Sequence, residues 1–195
     1  MHPTPQIILA STSKYRRELL ARLGLAFEVA SPGVDETPLP DEAPQDTARR
    51  LAEAKARAVA ARYPGAIVIG SDQVAVLEGT PLGKPGNHAN ALRQLTAMRG
   101  KEVVFHTALC VFNTASARME TRVVPFSVRF RAYSDTQIER YLQREQPYDC
   151  AGSARCEGLG IALIAAMRGD DPNALIGLPL IALTEMLAAQ GVQVL

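Results

Sequence analysis

The run Ala66-Ile67-Val68-Ile69-Gly70-Ser71-Asp72-Gln73-Val74-Ala75-Val76-Leu77 constrains this chain more than any other stretch. Three branched residues in a row, Ile67 to Ile69, read as a strand buried on both faces. The chain then sets Gly, Ser, Asp and Gln before the apolar residues resume. A carboxylate inside an apolar strand is costly unless something compensates its charge. Asp72 is therefore expected to face a metal, another cation or a wet cleft. The plainer alternative is a bulge or turn at Gly70 with Asp72 in solvent.

The rest of the composition narrows the class. At 195 residues the chain suits a single domain spanning 1–195, or one domain with two lobes, and can bury a sizeable core. Hydrophobic residues make up 47% and charged residues 21%, a globular balance rather than a disordered one. A net charge of +1 gives no bias toward nucleic acid or a membrane surface. Met1-His2-Pro3-Thr4-Pro5 lacks the basic and apolar regions of a signal peptide, and no apolar run is long enough to span a bilayer. Cys110, Cys150 and Cys156 match no zinc spacing and read as free thiols of a reducing cytoplasm. His2, His88 and His106 form no ligand set with them, so a histidine-rich metal site is not expected.

Gln6 to Ala10 is an apolar run ending in Ser11-Thr12-Ser13, before a helix with Arg16, Leu19, Leu20 and Leu23 on one face and Gly24 at its end. A strand, a hydroxyl-rich turn and a helix N-terminus make an anion site, although a plain helix cap would use the same residues. Arg16 on the leucine stripe favours the anion, because an inward guanidinium needs a negative partner. The turn lacks the glycines and lysine of a Walker loop. Phe27 to Ala30 reads as a strand and the acidic, proline-rich segment to Pro44 as a loop. Gln45 to Tyr63 is an alanine-rich helix. Its Lys55 lies on the apolar face, either extending to the surface or reaching a buried anion. Glu78-Gly79-Thr80 turns a hairpin whose return strand ends at Lys84. A helix follows over Asn87 to Met98, then long β segments over Glu102 to Phe112 and Arg118 to Phe130. In the second, Val124, Phe126, Val128 and Phe130 share a face. Ser134 caps a helix over Ile138 to Arg144. The glycine-punctuated loop Asp149 to Gly160 allows close backbone approach to a ligand. An apolar segment over Ile161 to Met167 precedes a last helix with Pro179 in its first turn.

Taken in order, Ala10-Ser11-Thr12-Ser13-Lys14-Tyr15-Arg16-Arg17-Glu18-Leu19-Leu20, Asp35-Glu36-Thr37, Glu53-Ala54-Lys55-Ala56, Gly70-Ser71-Asp72-Gln73, Gly83-Lys84-Pro85, Ala151-Gly152-Ser153, Glu157-Gly158 and Gly177-Leu178-Pro179-Leu180 resemble the Maf family over nearly the whole chain. The resemblance implies an α/β fold: a long, curved mixed β-sheet with flanking helices and two lobes around a nucleotide cleft, often as a homodimer. It also implies a nucleoside triphosphate pyrophosphatase that cleaves between the α- and β-phosphates with a divalent cation. By motif, Asp72 matches the catalytic carboxylate that accepts the proton of the attacking water. Ser11, Ser13 and Arg16 match the phosphate-binding turn. Glu36 matches an acidic cleft residue that shares the cation with Asp72, and Lys55 and Lys84 match lysines facing the phosphates. Oxygen ligands suit Mg²⁺ or Mn²⁺.

Three positions point to the base. The dTTP/UTP branch carries Ala-Asp-Thr where this chain has Ser71-Asp72-Gln73, Arg in place of Tyr15 and Gln in place of Glu157. This chain is instead similar to the branch acting on 7-methyl-GTP. Guanine presents two adjacent donors that one carboxylate accepts together, whereas uracil presents one donor between two carbonyls. The methylated purine is a cation, which suits Glu157 by charge and Tyr15 by stacking. The expected partner is thus a small nucleotide, with neither nucleic acid nor membrane. A dTTP/UTP-type or broader modified-nucleotide pyrophosphatase is the enzymatic alternative. A nucleotide-binding regulator of septum formation is the non-enzymatic one.

Overall fold

The computed structural model describes residues 5–195; the reading of Met1 to Thr4 as free of a signal peptide, and of His2, lies outside them. The described residues form an open, mixed seven-stranded sheet flanked by helices, with strand order β2-β1-β3-β5-β6-β7 and β4 paired to β3. It divides into two compact units. Of the described residues, the first comprises 5–72, 107–124 and 171–195, and the second 73–106 and 125–170. Strands β3 (Ile67–Leu77), β5 (Glu102–Asn113) and β6 (Arg118–Phe130) each contribute to both.

In the first unit, β1 (Ile7–Ala10) runs parallel to β2 (Glu28–Val29) on one side and to β3 on the other, with Leu9 opposite Ile69 and Ala10 opposite Gly70. Every residue of β1 and the first six of β3 are buried. Two-sided burial is what the unbroken branched runs dictate. Ile7, Leu9, Ile67, Ile69, Leu109 and Val111 pack with Leu19 and Leu20 of α1 (Lys14–Ala21) and Leu183, Met186 and Leu187 of α6 (Leu180–Ala188). Helix α2 (Pro44–Ala60) buries Leu51, Ala52, Lys55, Ala56 and Val59.

The second unit holds the far part of β3, its hairpin partner β4 (Thr80–Leu82), α3 (His88–Met98), α4 (Asp135–Glu145) and β7 (Ile164–Arg168). Phe126, Val128 and Phe130 are buried while Pro125 and Arg129 are exposed, the alternation expected of β6. Strand β7 pairs with β6 only from Ser127 onward, so Pro125, which has no N–H to give, lies clear of that ladder. The buried Tyr133 hydroxyl donates to the Leu95 carbonyl at 2.7 Å.

Several boundaries differ from the sequence reading. Gly70 does not interrupt β3, which runs on for 11 residues. The glycine is required for space: a Cβ there would stand 2.2 Å from the Ala52 carbonyl oxygen and 2.9 Å from the Ala56 nitrogen. The hairpin strand ends at Leu82 rather than Lys84, and β2 is two residues long. A short helix, α5 (Pro172–Ile176), precedes α6, and Pro179 caps α6 from outside its first turn. Five residues are too few to display a helical period, which hid α5.

Candidate active site

The close approach at Gly70 sets the geometry of the first unit. Gly70 and Asp72 lie two residues apart on one face of β3, and α2 crosses that face with its backbone against Gly70. Lys55, between the two alanines that touch the glycine, therefore reaches Asp72. Its ammonium lies 2.6 Å from Asp72 Oδ1 and 2.7 Å from Glu36 Oε1. Lys55 is 4% and Asp72 7% exposed, so the lysine does not extend to the surface. A lysine is seldom buried without such partners, and here two carboxylates share it.

Glu36 reaches the cluster from the loop before α2. The Asp35 carboxylate accepts from the Thr37 backbone N–H at 2.9 Å and hydroxyl at 2.7 Å, an Asx turn that brackets Glu36. Those bonds, the hydroxyl's first, hold the Asp35 carboxyl below its ordinary range. Arg50 of α2 ties the loop down, donating to the Thr37 carbonyl at 3.2 Å and to both oxygens of Glu42 at 2.6 and 2.8 Å. One helix thus carries both the lysine and the clamp that positions its second carboxylate.

The turn after β1 is a well-formed helix cap. Ser11 Oγ accepts from Ser13 N–H at 3.1 Å, and Ser13 Oγ accepts from Arg16 N–H at 3.4 Å. No acidic side chain occupies the first turn of α1, so the residues of that turn add no negative charge to its positive end. Arg16 is half-buried, and its Nε donates to the Gly177 carbonyl at 2.8 Å. Within the protein, that nitrogen is thus held by a backbone carbonyl. Burial lowers its pKa, while the charges of Asp72 and Glu36 pull the other way, so the guanidinium lies within the field of the carboxylate pair.

The Gly177 carbonyl was not anticipated as a site element. It also accepts from the buried Ser71 hydroxyl at 2.9 Å, which lies 2.8 Å from the Ala108 carbonyl. Gly177 adopts φ 119°, a conformation that favours glycine. Buried Asp171 fixes the same turn, its carboxylate accepting from the backbone N–H groups of Asn173 at 2.9 Å and Ile181 at 2.7 Å. The sequence carried a weak signal for this: an Asp-Pro before a Gly-Leu-Pro.

Tyr15, half-buried, has the Lys14 ammonium 4.8 Å from its ring centroid. Three candidates fall in the second unit. Gln73 follows Asp72 in β3 and is half-buried; Lys84 is exposed on the loop after β4. Glu157 is exposed at the tip of the loop before β7, with the Arg155 Nε and the Cys156 thiol each 3.4 Å from its carboxylate. Burial, then the Glu157 charge, pushes the Cys156 thiol up to about 12, so it stays protonated and donates. Among the described residues no group of three or more His, Cys, Asp or Glu side chains forms a metal cage. No helix among them is long and apolar enough to cross a membrane.

An open mixed sheet with a buried carboxylate on one strand, paired to a buried lysine of a flanking helix, defines an α/β protein with a polar centre. The family model described as Maf-like protein matches residues 6–190, and the chain belongs to that family. It is 65% identical over 191 residues to a protein of Methylobacillus flagellatus named 7-methyl-GTP pyrophosphatase, covering 98% of this chain and 100% of that one. Relatives of the same name from Nitrosospira multiformis and Nitrosococcus oceani are 62% and 60% identical, covering 97% and 98% of this chain and 96% of each relative.

Proposed function

We propose that this chain is a nucleoside triphosphate pyrophosphatase that hydrolyses 7-methyl-GTP to 7-methyl-GMP and pyrophosphate. End-to-end similarity to proteins of that name supports the substrate. One observation carries the chemistry: a buried carboxylate, Asp72, held by a buried ammonium at 2.6 Å. In this reading Asp72 accepts the proton of a water whose oxygen attacks the α-phosphorus. The bond from that phosphorus to the bridging oxygen breaks, and pyrophosphate leaves. Arg16, Ser11 and Ser13 bind phosphate at the start of α1, while Lys55 and Lys84 neutralise charge that grows on the leaving group.

Arg16 and Lys55 balance Asp72 and Glu36 in charge, so a bound polyphosphate needs further cations. Asp72 and Glu36 fit a divalent ion, since an oxygen of each lies within 2.7 Å of one ammonium nitrogen. Mg²⁺ or Mn²⁺ held through one or two carboxylates together with substrate phosphates is a usual arrangement. When bound, the ion neutralises phosphate oxygens and polarises the reacting phosphoryl group. Tyr15, Gln73 and Glu157 receive the base, Glu157 taking both guanine donors. The working form is a homodimer acting on a free nucleotide.

The test is a panel of nucleoside triphosphates assayed for pyrophosphate release, with chelator and then Mg²⁺ or Mn²⁺. The expected result is a specificity constant for 7-methyl-GTP above those for GTP, dTTP and UTP, abolished by chelation and restored by metal. A preference for dTTP or UTP would refute the substrate assignment, and full activity in chelator the metal.

A further inference from the structure

The carboxylate assigned to the base lies on a loop that one face of α4 holds. Tyr141 and Glu145, four residues apart, share that face. The buried Tyr141 hydroxyl donates to the Ser153 carbonyl at 3.1 Å and accepts from Arg155 N–H at 3.0 Å. The Glu145 carboxylate accepts from Arg155 Nη1 at 2.8 Å and from Leu159 N–H at 2.7 Å. Its side chain is only 9% exposed. Both ends of the segment around Glu157 are therefore anchored on α4.

Within that segment the chain closes tightly. The Arg155 carbonyl accepts from Gly158 N–H at 3.2 Å and Gly160 N–H at 3.0 Å. A Cβ at Gly160 would stand 2.4 Å from that carbonyl oxygen, and one at Gly158 would stand 2.6 Å from Glu145 Oε1. Glycines at these positions let the backbone fold over both groups, which leaves Glu157 at the tip. The Arg155 guanidinium spans two acids, Nη1 on Glu145 and Nε on Glu157. Arg155 Nε lies 3.4 Å from one Glu157 carboxylate oxygen and the Cys156 thiol 3.4 Å from the other, so the acid has partners within its own loop.

We propose that Glu145 is a positioning residue for substrate selection: through Arg155 and the Leu159 N–H it fixes Glu157 in the orientation that reads the base. The inference rests on Glu157 meeting the base. Gln at 145 keeps an acceptor for Leu159 N–H and the same volume but loses the charge-assisted bond to Arg155, which should loosen Glu157 without removing it. Lys at 155 keeps the charge and loses the planar fork that spans both acids.

The experiment measures kcat and KM for 7-methyl-GTP and UTP in wild type, Glu145→Gln, Arg155→Lys, Glu157→Gln and the Glu145→Gln/Glu157→Gln double variant, with folding checked by circular dichroism. Glu145→Gln is expected to lower the ratio of the two specificity constants roughly three- to tenfold, within the range of coupled neighbouring residues. The loss should fall on KM for 7-methyl-GTP rather than on kcat, and Arg155→Lys should act in the same direction. In the double variant the ratio should equal that of Glu157→Gln alone, because a residue acting through another has nothing left to position. A merely structural Glu145 would multiply its effect with that of Glu157. Independent losses, or an unchanged ratio in a folded Glu145→Gln protein, overturn the inference. Should Glu145→Gln fail to fold, an unchanged ratio in Arg155→Lys does so. If Glu157→Gln itself leaves the ratio unchanged, the base-reading role falls, and the positioning role with it.

Discussion

A buried ammonium is stable only where anions meet it, and Lys55 meets two. Removing one partner of a buried pair ordinarily costs about 3–5 kcal/mol, because the other charge is stranded. Asp72→Asn should cost well under that, since the amide oxygen still accepts from Lys55 and Glu36 remains. Its effect should fall on chemistry: kcat down about 10²- to 10⁴-fold, the usual worth of a positioned general base, with nucleotide binding kept. Single-turnover rates alongside equilibrium binding check this, and near wild-type turnover in the folded variant would remove Asp72 from the mechanism. Glu157→Gln should alter selection of the base. A glutamine amide offers one acceptor and one donor where a carboxylate offers two acceptors. The change should cost roughly 1–3 kcal/mol of discrimination, the worth of one bidentate base contact. The loss should be larger for 7-methyl-GTP than for GTP, because only the methylated base is a cation. Equal losses on both would leave the charge argument without support.

At the scale of elements, α2 organises the first unit through its contact with Gly70. A methyl group there meets backbone rather than a movable side chain, so Gly70→Ala should destabilise by about 1–3 kcal/mol or more. On a chain of this size that lowers Tm by about 2–4 °C for each kcal/mol. Activity should fall with it, because α2 carries Lys55. An alanine variant with unchanged Tm would show that the helix does not press on the strand. The Glu42–Arg50 clamp makes a separate prediction in pH. Hydrogen bonds, that from Arg50 first, hold the Glu42 carboxyl down to about 2, against an ordinary value of 4.5. A depressed folded pKa stabilises fully above the unfolded value, and the contribution is lost as pH falls through the folded one. The Tm gap between wild type and Glu42→Gln should therefore be constant above about pH 4.5 and should close as pH falls toward 2. A gap independent of pH would deny the clamp. Apolar runs made β1 and β3 legible and alternation β6, while Ser134 signalled α4, which begins at Asp135 rather than Ile138. The sequence showed Lys55 and Asp72 as anomalies, each a charge among apolar residues, but could not pair them. Their meeting depends on a helix crossing a strand at a glycine, a contact between distant positions that no local period encodes. Arg155, Glu145 and the Gly177 carbonyl were hidden for the same reason.

For the whole molecule, one reaction on one substrate is proposed for a mixed sheet that carries the buried Asp72. Family membership and the names of its relatives carry the reaction class, and the geometry carries the roles proposed for the residues. The claim that binds these together is that water attacks the α-phosphorus of 7-methyl-GTP. Turnover in ¹⁸O-labelled water, followed by mass spectrometry of both products, reads it directly. The expected primary products are 7-methyl-GMP carrying one ¹⁸O and unlabelled pyrophosphate alone. Label in pyrophosphate would place the attack on the β-phosphorus, and orthophosphate as a primary product would mark a phosphatase; either result overturns attack at the α-phosphorus.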